Sequence, residues 1–550
     1  MNDGECAEFD LLTEAWIPVV DADGKRRELS LLDCLEQAPD LREVSDPSPL
    51  VTFGIYRFLG AVLQTYLPLA DENEWAEVWE AERFPPDLLR TVQQRCIGKL
   101  RLFDPKRPFY QSGDISLAEK PAEGFKTVGY LRPEDSTGTN VVHFSHRGDL
   151  EHAYCPICCA HGLLALPPFA TSVGRGIRPS INGVPPYYVL PAGETLFATL
   201  MLNYVLPGFQ PALASEDDPG PLWEVGGPIR VKDERSRAGF TESLTWPPRR
   251  IRLFPGLGGR CSACGRQATT LVRRMVFVQG RSLSKSLPGW DDPWAAFVER
   301  WDKTLRQSTR VPLRPREERD VWRDYNSLFL AREDGPPAAD SKAERRLRPA
   351  VLRQLDELLA LRCLPTSTPV HYEVFGLRTD MKAKVFEWRH DRFDFPLLLL
   401  RDREVTRTID LALQGAEDVA YWLGRALRAL HPVSERESAD RQAVAAVNKA
   451  LVTFWSRRFW QELEYPFRQS LHDDRLIGTM DSQAEWLKDW TRRVHETGRG
   501  ALEGALDAFE SSSDDLRRAE KARAVYYRGL SKPKSPKEPA AVTAAAVGGE

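Results

Sequence analysis

For about the first 400 residues, apolar and polar positions alternate in short blocks bounded by turns; beyond them the spacing becomes helical. Trp16-Ile17-Pro18-Val19-Val20 reads as a strand, and Asp21-Ala22-Asp23-Gly24 as the hairpin turn that follows it. Ser30 stands before Leu31-Leu32 as a helix N-cap. Residues 50–68 and 73–98 carry helical spacing, the second stretch interrupted by Pro85-Pro86. Residues 104–150 are punctuated by Gly, Pro and Ser and predict mostly loop. Pro167-Pro168, Gly174-Arg175-Gly176, Arg178-Pro179, Asn182-Gly183 and Pro185-Pro186 crowd into residues 167–193, which read as irregular. Helix resumes over 195–206. Strands are predicted at 271–278, 385–388 and 393–400, and an exposed connector at 331–346 leads into a helix at 350–362.

Gly, Pro and strand formers thin out after residue 401. Helices are predicted at 415–430, 438–463, 482–509 and 514–528. Val419, Trp422, Leu423, Ala426 and Leu427 recur at the three-and-four spacing of a buried stripe. Four helices joined by short loops favour an up-down bundle. The predicted fold class is therefore α+β: a large irregular mixed α/β domain over residues 1–400, then a C-terminal four-helix bundle over 401–530. The tail, 531–550, is rich in Lys, Pro and Ala and reads as disordered.

Composition narrows the function classes. Lys and Arg total 75 against 79 Asp and Glu, a net charge of -4, which rules out a uniformly basic surface but not a local basic groove. No apolar run approaches the ~20 residues of a membrane span. The acidic start, Met1-Asn2-Asp3-Gly4-Glu5, has no signal-peptide core, so a cytoplasmic location without membrane contact is expected. No P-loop, dinucleotide fingerprint, nucleophile elbow or His-Glu-x-x-His is found.

Four of the nine cysteines form two Cys-x-x-Cys knuckles, Cys155-Pro156-Ile157-Cys158 and Cys261-Ser262-Ala263-Cys264. Each knuckle points two thiolates at one cation, and two knuckles complete a tetrahedral shell for structural zinc with no place for a reacting water. Roughly a hundred residues separate them, against ~15–20 in a compact zinc ribbon, so tertiary folding must unite them. Gly265 suits a turn with positive φ. Scattered core cysteines or a redox pair are the plainer reading, and His152, Cys159 and His161 are substitute ligands. His143-Phe144-Ser145-His146 has two histidines three apart, but in predicted loop without a carboxylate cluster, and reads as surface or recognition residues and not as a nuclease metal site. Asp380 and Glu387-x-x-His390-Asp391 fit a metal site poorly, since strand alternation puts Glu387 and His390 on opposite faces.

Basic features suit nucleic acid better. Arg175 and Arg178 stand beside glycines that let a backbone approach phosphate. Arg378 to Lys384, between two strand signals, reads as a hairpin tip whose Met381, Lys382 and Lys384 could wedge into a duplex. An irregular loop and a solvated turn are the ordinary explanations of the two.

Several motifs together resemble the CasA family, the large subunit of the type I-E CRISPR interference complex Cascade. They are Trp16-Ile17-Pro18-Val19, the two knuckles, the Gly-rich loop after the first, and Tyr187-Tyr188-Val189-Leu190-Pro191 with Gly193-Glu194-Thr195-Leu196. Val321-Trp322-Arg323, Val385-Phe386-Glu387-Trp388-Arg389-His390-Asp391 and the helical C-terminal region complete the set.

The resemblance implies a subunit without catalytic activity. It would read a protospacer-adjacent motif (PAM) in double-stranded DNA from the minor groove, start strand separation for R-loop formation, and recruit a helicase-nuclease. Its other partners would be the crRNA-containing Cascade subunits: the backbone, the subunit capping the guide's 5′ end, and the small subunits. By position, the family's glycine loop looks like Ser172-Val173-Gly174-Arg175-Gly176, with Arg178 beside it. Its wedge looks like Met381-Lys382-Ala383, with Lys382 where the best-known pattern has glutamine. Lys303 is the choice for its lysine finger, with Lys285 and Arg306 as rivals. The loop that docks near the guide's 5′ end looks like His143-Phe144-Ser145, and the four cysteines match its zinc ligands. A zinc-stapled nuclease and a scaffold that binds only proteins are the alternatives.

Overall fold

The computed structural model describes residues 8–117, 121–133, 152–172, 176–211, 214–284, 290–304, 306–330, 344–379, 385–430, 438–509 and 513–531. The chain is a mixture of helices and sheets and divides into two compact units, Met1–Asp402 and Arg403–Glu550.

The first unit starts with a three-stranded sheet. Strand β1 (Ile17–Asp21) pairs antiparallel with β2 (Arg26–Leu29) on one side and β3 (Leu41–Val44) on the other. Ser30 caps the short helix Leu31–Glu36 by accepting the Asp33 amide at 3.1 Å. Helix α1 (Pro49–Tyr66) is buried on almost every face, as expected of an apolar core helix. It packs against α2 (Pro156–Phe169), and the two backbones touch at Gly54. A Cβ there would lie 2.6 Å from the Leu164 carbonyl oxygen, so a larger residue would push the helices apart. The stretch 73–98 breaks into helices Glu72–Glu80 and Pro86–Cys96 at its prolines.

Residues 167–193 are more ordered than their Gly and Pro content predicts. Helix α2 absorbs Pro167 and Pro168 in its last turn. Their carbonyls are not orphaned, because the Ser180 hydroxyl donates to Pro167 and the Tyr188 hydroxyl to Pro168 at 2.8 Å. Strand β4 (Tyr188–Ala192) follows and is buried throughout.

Antiparallel strand pairs organise much of the rest of this unit. β5 (Arg249–Arg260) pairs with β6 (Gln267–Gln279). β7 (Phe297–Asp302) pairs with β8 (Gln307–Pro312) and, on its other edge, with β9 (Glu344–Leu347). β10 (His371–Thr379) is the centre of a sheet between β4 and β11 (Val385–Asp394). The strand expected over 393–400 stops at Asp394. Pro396 has no amide to continue the ladder, and Leu397–Leu400 turn into a 3-10 helix instead.

The second unit holds α3 (Arg403–Ala429), α4 (Ser438–Ser470), α5 (Met480–Asp507) and α6 (Ser513–Leu530). α3 packs against each of the other three, and α4 against α5. α3 starts twelve residues before the expected Gly415 because Val405, Ile409, Ala412 and Leu413 extend its buried stripe. α4 runs through Pro466 to Ser470, past the expected end at 463; beyond the proline Phe467 is buried, its ring 5.6 Å from that of Trp490.

Candidate metal centre and nucleic-acid elements

The cysteines converge through two local structures. Cys155 occupies the N-cap position of α2, with Pro156 at the first helical position and Cys158 in the first turn. Cys261 and Cys264 sit in the turn joining β5 to β6, where Gly265 takes φ +74 and donates its amide to the Cys261 carbonyl at 3.0 Å. Main-chain bonds join the knuckles across the intervening chain. Tyr154 and Val272 exchange amide bonds at 2.9 and 2.8 Å, and the Ser262 amide donates to the Ala153 carbonyl at 2.8 Å.

All four sulfurs lie within 4.8 Å of one another, with Cys155 Sγ 3.8 Å from Cys264 Sγ. A tetrahedron built from Zn–S bonds of ~2.3 Å has edges of ~3.8 Å, so the donor set fits zinc in both chemistry and spacing. Hydrogen bonds from Cys155 and Cys158 hold the Cys261 thiol far below the usual range, while hydrogen bonds with Cys155 and Cys261, together with burial, push the Cys158 thiol far up. Metal ligation requires the thiols to be deprotonated, and a dication would offset the repulsion among four clustered thiolates. The Cys155 amide also donates to Cys261 Sγ at 3.3 Å.

The rival ligands stand apart from this group. His161 Nε2 bonds the Trp16 carbonyl at 2.8 Å and its Nδ1 faces Asp46 at 3.3 Å. Cys159 Sγ points to the Tyr154 carbonyl at 3.9 Å. Among the described residues, the four cysteines are the one group of His, Cys, Asp or Glu arranged to hold a metal ion. Glu387 pairs with Arg378 and Arg389, whereas His390 pairs with Glu373 and stacks on Phe375 at 4.8 Å, so Glu387 and His390 share no site.

Several sequence-derived nucleic-acid residues lie outside the described residues: Val173, Gly174 and Arg175; Met381, Lys382, Ala383 and Lys384; His143, Phe144 and Ser145; and Lys285. Their flanks are described. Gly176 takes φ +86, and among the described residues, its chain neighbours aside, no atom would lie within 4 Å of a Cβ there. The Arg178 amide donates to Gln279 Oε1 at 2.5 Å, and its guanidinium reaches Glu234 at 3.3 Å and Ser282 Oγ at 3.4 Å. Positions 380–384 connect the paired strands β10 and β11. Lys303 is exposed in the turn between β7 and β8, with Arg306 nearby at φ +52. Sequence reasoning overlooked Arg249, which is 1% exposed although it opens a strand reading Arg249-Arg250-Ile251-Arg252. Nothing in that charged run signals burial.

Residues 10–501 match the family model described as CRISPR-associated protein Cse1. No curated protein matches the chain. The solved structure of CasA from Thermus thermophilus is 24% identical at a TM-score of 0.72, covering 95% of this chain and 99% of that one. For Thermobifida fusca Cse1 the values are 22%, 0.73, 95% and 98%. A chain in a structure of a CRISPR RNA-guided surveillance complex is 18% identical at a TM-score of 0.68, covering 94% of this chain and 99% of that one. Likeness at such identities speaks for the fold; the family model, running across most of the chain, settles the family. This chain belongs to the Cse1 family of CRISPR-associated proteins, the CasA-type large subunits of type I-E Cascade that its motifs resemble.

Proposed function

We propose that this chain is the DNA-reading large subunit of a type I-E RNA-guided surveillance complex in the cytoplasm, and that it carries out no covalent chemistry. It reads a PAM in duplex DNA from the minor groove, pries the duplex open so that the guide can pair, and offers a surface to a helicase-nuclease. The division of labour is physical: the protein recognises a short motif, and base pairing recognises the rest. Minor-groove reading is degenerate, which suits tolerance of several motif sequences.

In this reading Val173, Gly174, Arg175, Gly176 and Arg178 form the loop that approaches the groove, and Lys303 is the lysine finger. Met381, Lys382, Ala383 and Lys384 form the wedge. His143, Phe144 and Ser145 dock near the guide's 5′ end among the backbone, end-capping and small subunits. The four cysteines hold a structural zinc ion, and α3 to α6 form a four-helix bundle. The observation that carries the reading is the family match across residues 10–501. The position of residues 380–384 between two paired strands supports the wedge, since apolar side chains inserted between base steps can unstack them.

The wedge is tested by combining Met381→Ala with Lys382→Asp in the chain assembled with its guide complex. Exchanging a cation for an anion beside phosphate should weaken target-duplex binding by at least about tenfold, with guide assembly intact. Equal affinity in a gel shift at fixed salt removes the wedge from the account.

A further inference from the structure

The β5–β6 hairpin carries a metal knuckle at its tip; at its root it does something else. Arg249 and Gln279 face each other there as a cross-strand pair. Arg249 is 1% exposed and lies over the Phe277 ring, 5.5 Å from its centroid. Its Nη1 donates to the Arg178 carbonyl at 2.8 Å and to that of Pro248 at 2.8 Å, and its Nη2 donates to the Thr171 carbonyl. One guanidinium therefore grips the main chain on both sides of residues 172–177. Gln279 grips the same chain by accepting the Arg178 amide at 2.5 Å, and the Ser180 amide closes the base onto the Ala170 carbonyl at 2.9 Å.

This arrangement is costly for a core. Burial lowers the Arg249 pKa from the ordinary arginine value, with no acid among the described residues acting to restore it. Its Nε is buried without a hydrogen-bond partner among those residues. A buried cation that faces main-chain carbonyls and not a carboxylate is a poor way to gain stability. It is a good way to hold two chain segments at a set separation, because a planar fork fixes direction as well as distance.

We propose that Arg249 is a positioning residue for duplex reading: by clamping the carbonyls of Thr171 and Arg178 it sets the separation of those two residues and the placement of Gly176 and Arg178. The inference rests on the proposed function and adds to it a residue distant from the loop in sequence. Lysine retains the charge but cannot hold both ends, because an ammonium on a flexible stem has no fixed fork.

The test uses the full chain assembled with its guide complex and two duplexes, one with the motif and one with the motif scrambled, at one salt concentration. Arg249→Lys should weaken binding to the motif duplex about tenfold and leave the scrambled duplex within about twofold, so discrimination falls. A role confined to stability would lower the active fraction and scale both affinities alike, and that result overturns the inference. Gly176→Ala, strained at φ +86, supplies the second arm. If Arg249 acts through the loop, the Arg249→Lys, Gly176→Ala double variant binds no more weakly than the worse single variant; multiplied losses contradict this. Unchanged motif affinity in Gly176→Ala overturns the loop reading together with the inference, whereas a loss there beside an unaffected Arg249→Lys overturns the inference alone. Should Arg249→Lys fail to fold, Gln279→Leu removes the Arg178 anchor without altering a buried charge. It should lower discrimination about threefold, and unchanged discrimination counts against the clamp.

Discussion

Replacing Cys155 and Cys261 together by serine is expected to lower the metal content from about one zinc per chain to none and to remove much of the stability of the unit Met1–Asp402. One ligand is lost from each knuckle, so the two cysteines that remain, Cys158 and Cys264, cannot complete a tetrahedral shell. Structural zinc contributes ~10–16 kcal/mol in isolated finger peptides. The loss here should fall below that range, because the Tyr154–Val272 and Ala153–Ser262 main-chain bonds also join the knuckles. A loss of several kcal/mol is the expectation, read as an earlier thermal transition. Chelation of the unaltered chain should move the transition the same way. Acid should favour metal release, since protons compete for all four sulfurs. Metal analysis of the double variant is decisive: about one zinc per chain retained would overturn the ligand assignment.

A second large effect is expected inside the same unit. Arg57 on α1 and Asp292 are 1% and 0% exposed at their side chains and lie 2.7 Å apart. The guanidinium also donates to the Leu244 carbonyl at 3.1 Å and the Ser243 carbonyl at 3.3 Å, and sits 5.4 Å from the Trp294 ring centroid. Asp292 in turn accepts from Asn182 Nδ2 at 2.9 Å, and the same amide reaches the Tyr188 hydroxyl at 2.8 Å. Asp292→Ala strands a buried cation and should cost about 3–5 kcal/mol, measured by urea denaturation. Arg57→Met with Asp292→Leu should recover a substantial part of this loss, because removing both charges leaves neither unpaired. A double variant as unstable as the sum of the singles contradicts the assignment of the cost to an uncompensated charge.

The sequence conveyed some of this architecture and concealed the rest for physical reasons. Stripes such as Val419, Leu423, Ala426 and Leu427 are buried along α3, because on a long helix the apolar period is unambiguous. The knuckles were legible as well, since thiol spacing records ligand geometry directly. Proline misled in both directions. Pro167 and Pro168 suggested irregular chain yet end a helix whose carbonyls are satisfied from distant residues, while Pro396 ends a run of leucines that looked like strand. Arg57, Arg249 and Arg252 are buried, but their partners are mostly main-chain carbonyls and aromatic rings. Such partners leave no mark in the spacing of charges, so nothing in the sequence pointed to the burial of these arginines. The proposed glycine-loop and wedge residues depended on resemblance, since short Gly- and Lys-bearing turns look the same whether or not DNA meets them.

The central claim is that this chain binds and opens a specific duplex. Its direct test is a titration of the guide-bound complex, with and without the chain, against duplexes carrying the motif or a scrambled version, across a series of salt concentrations. The account predicts tight motif-dependent binding only when the chain is present, a log affinity that falls by ~0.9 per phosphate contact for each unit of log salt, and no cleavage. Affinities indifferent to the chain or to the motif, or DNA cut by the chain alone, would contradict it.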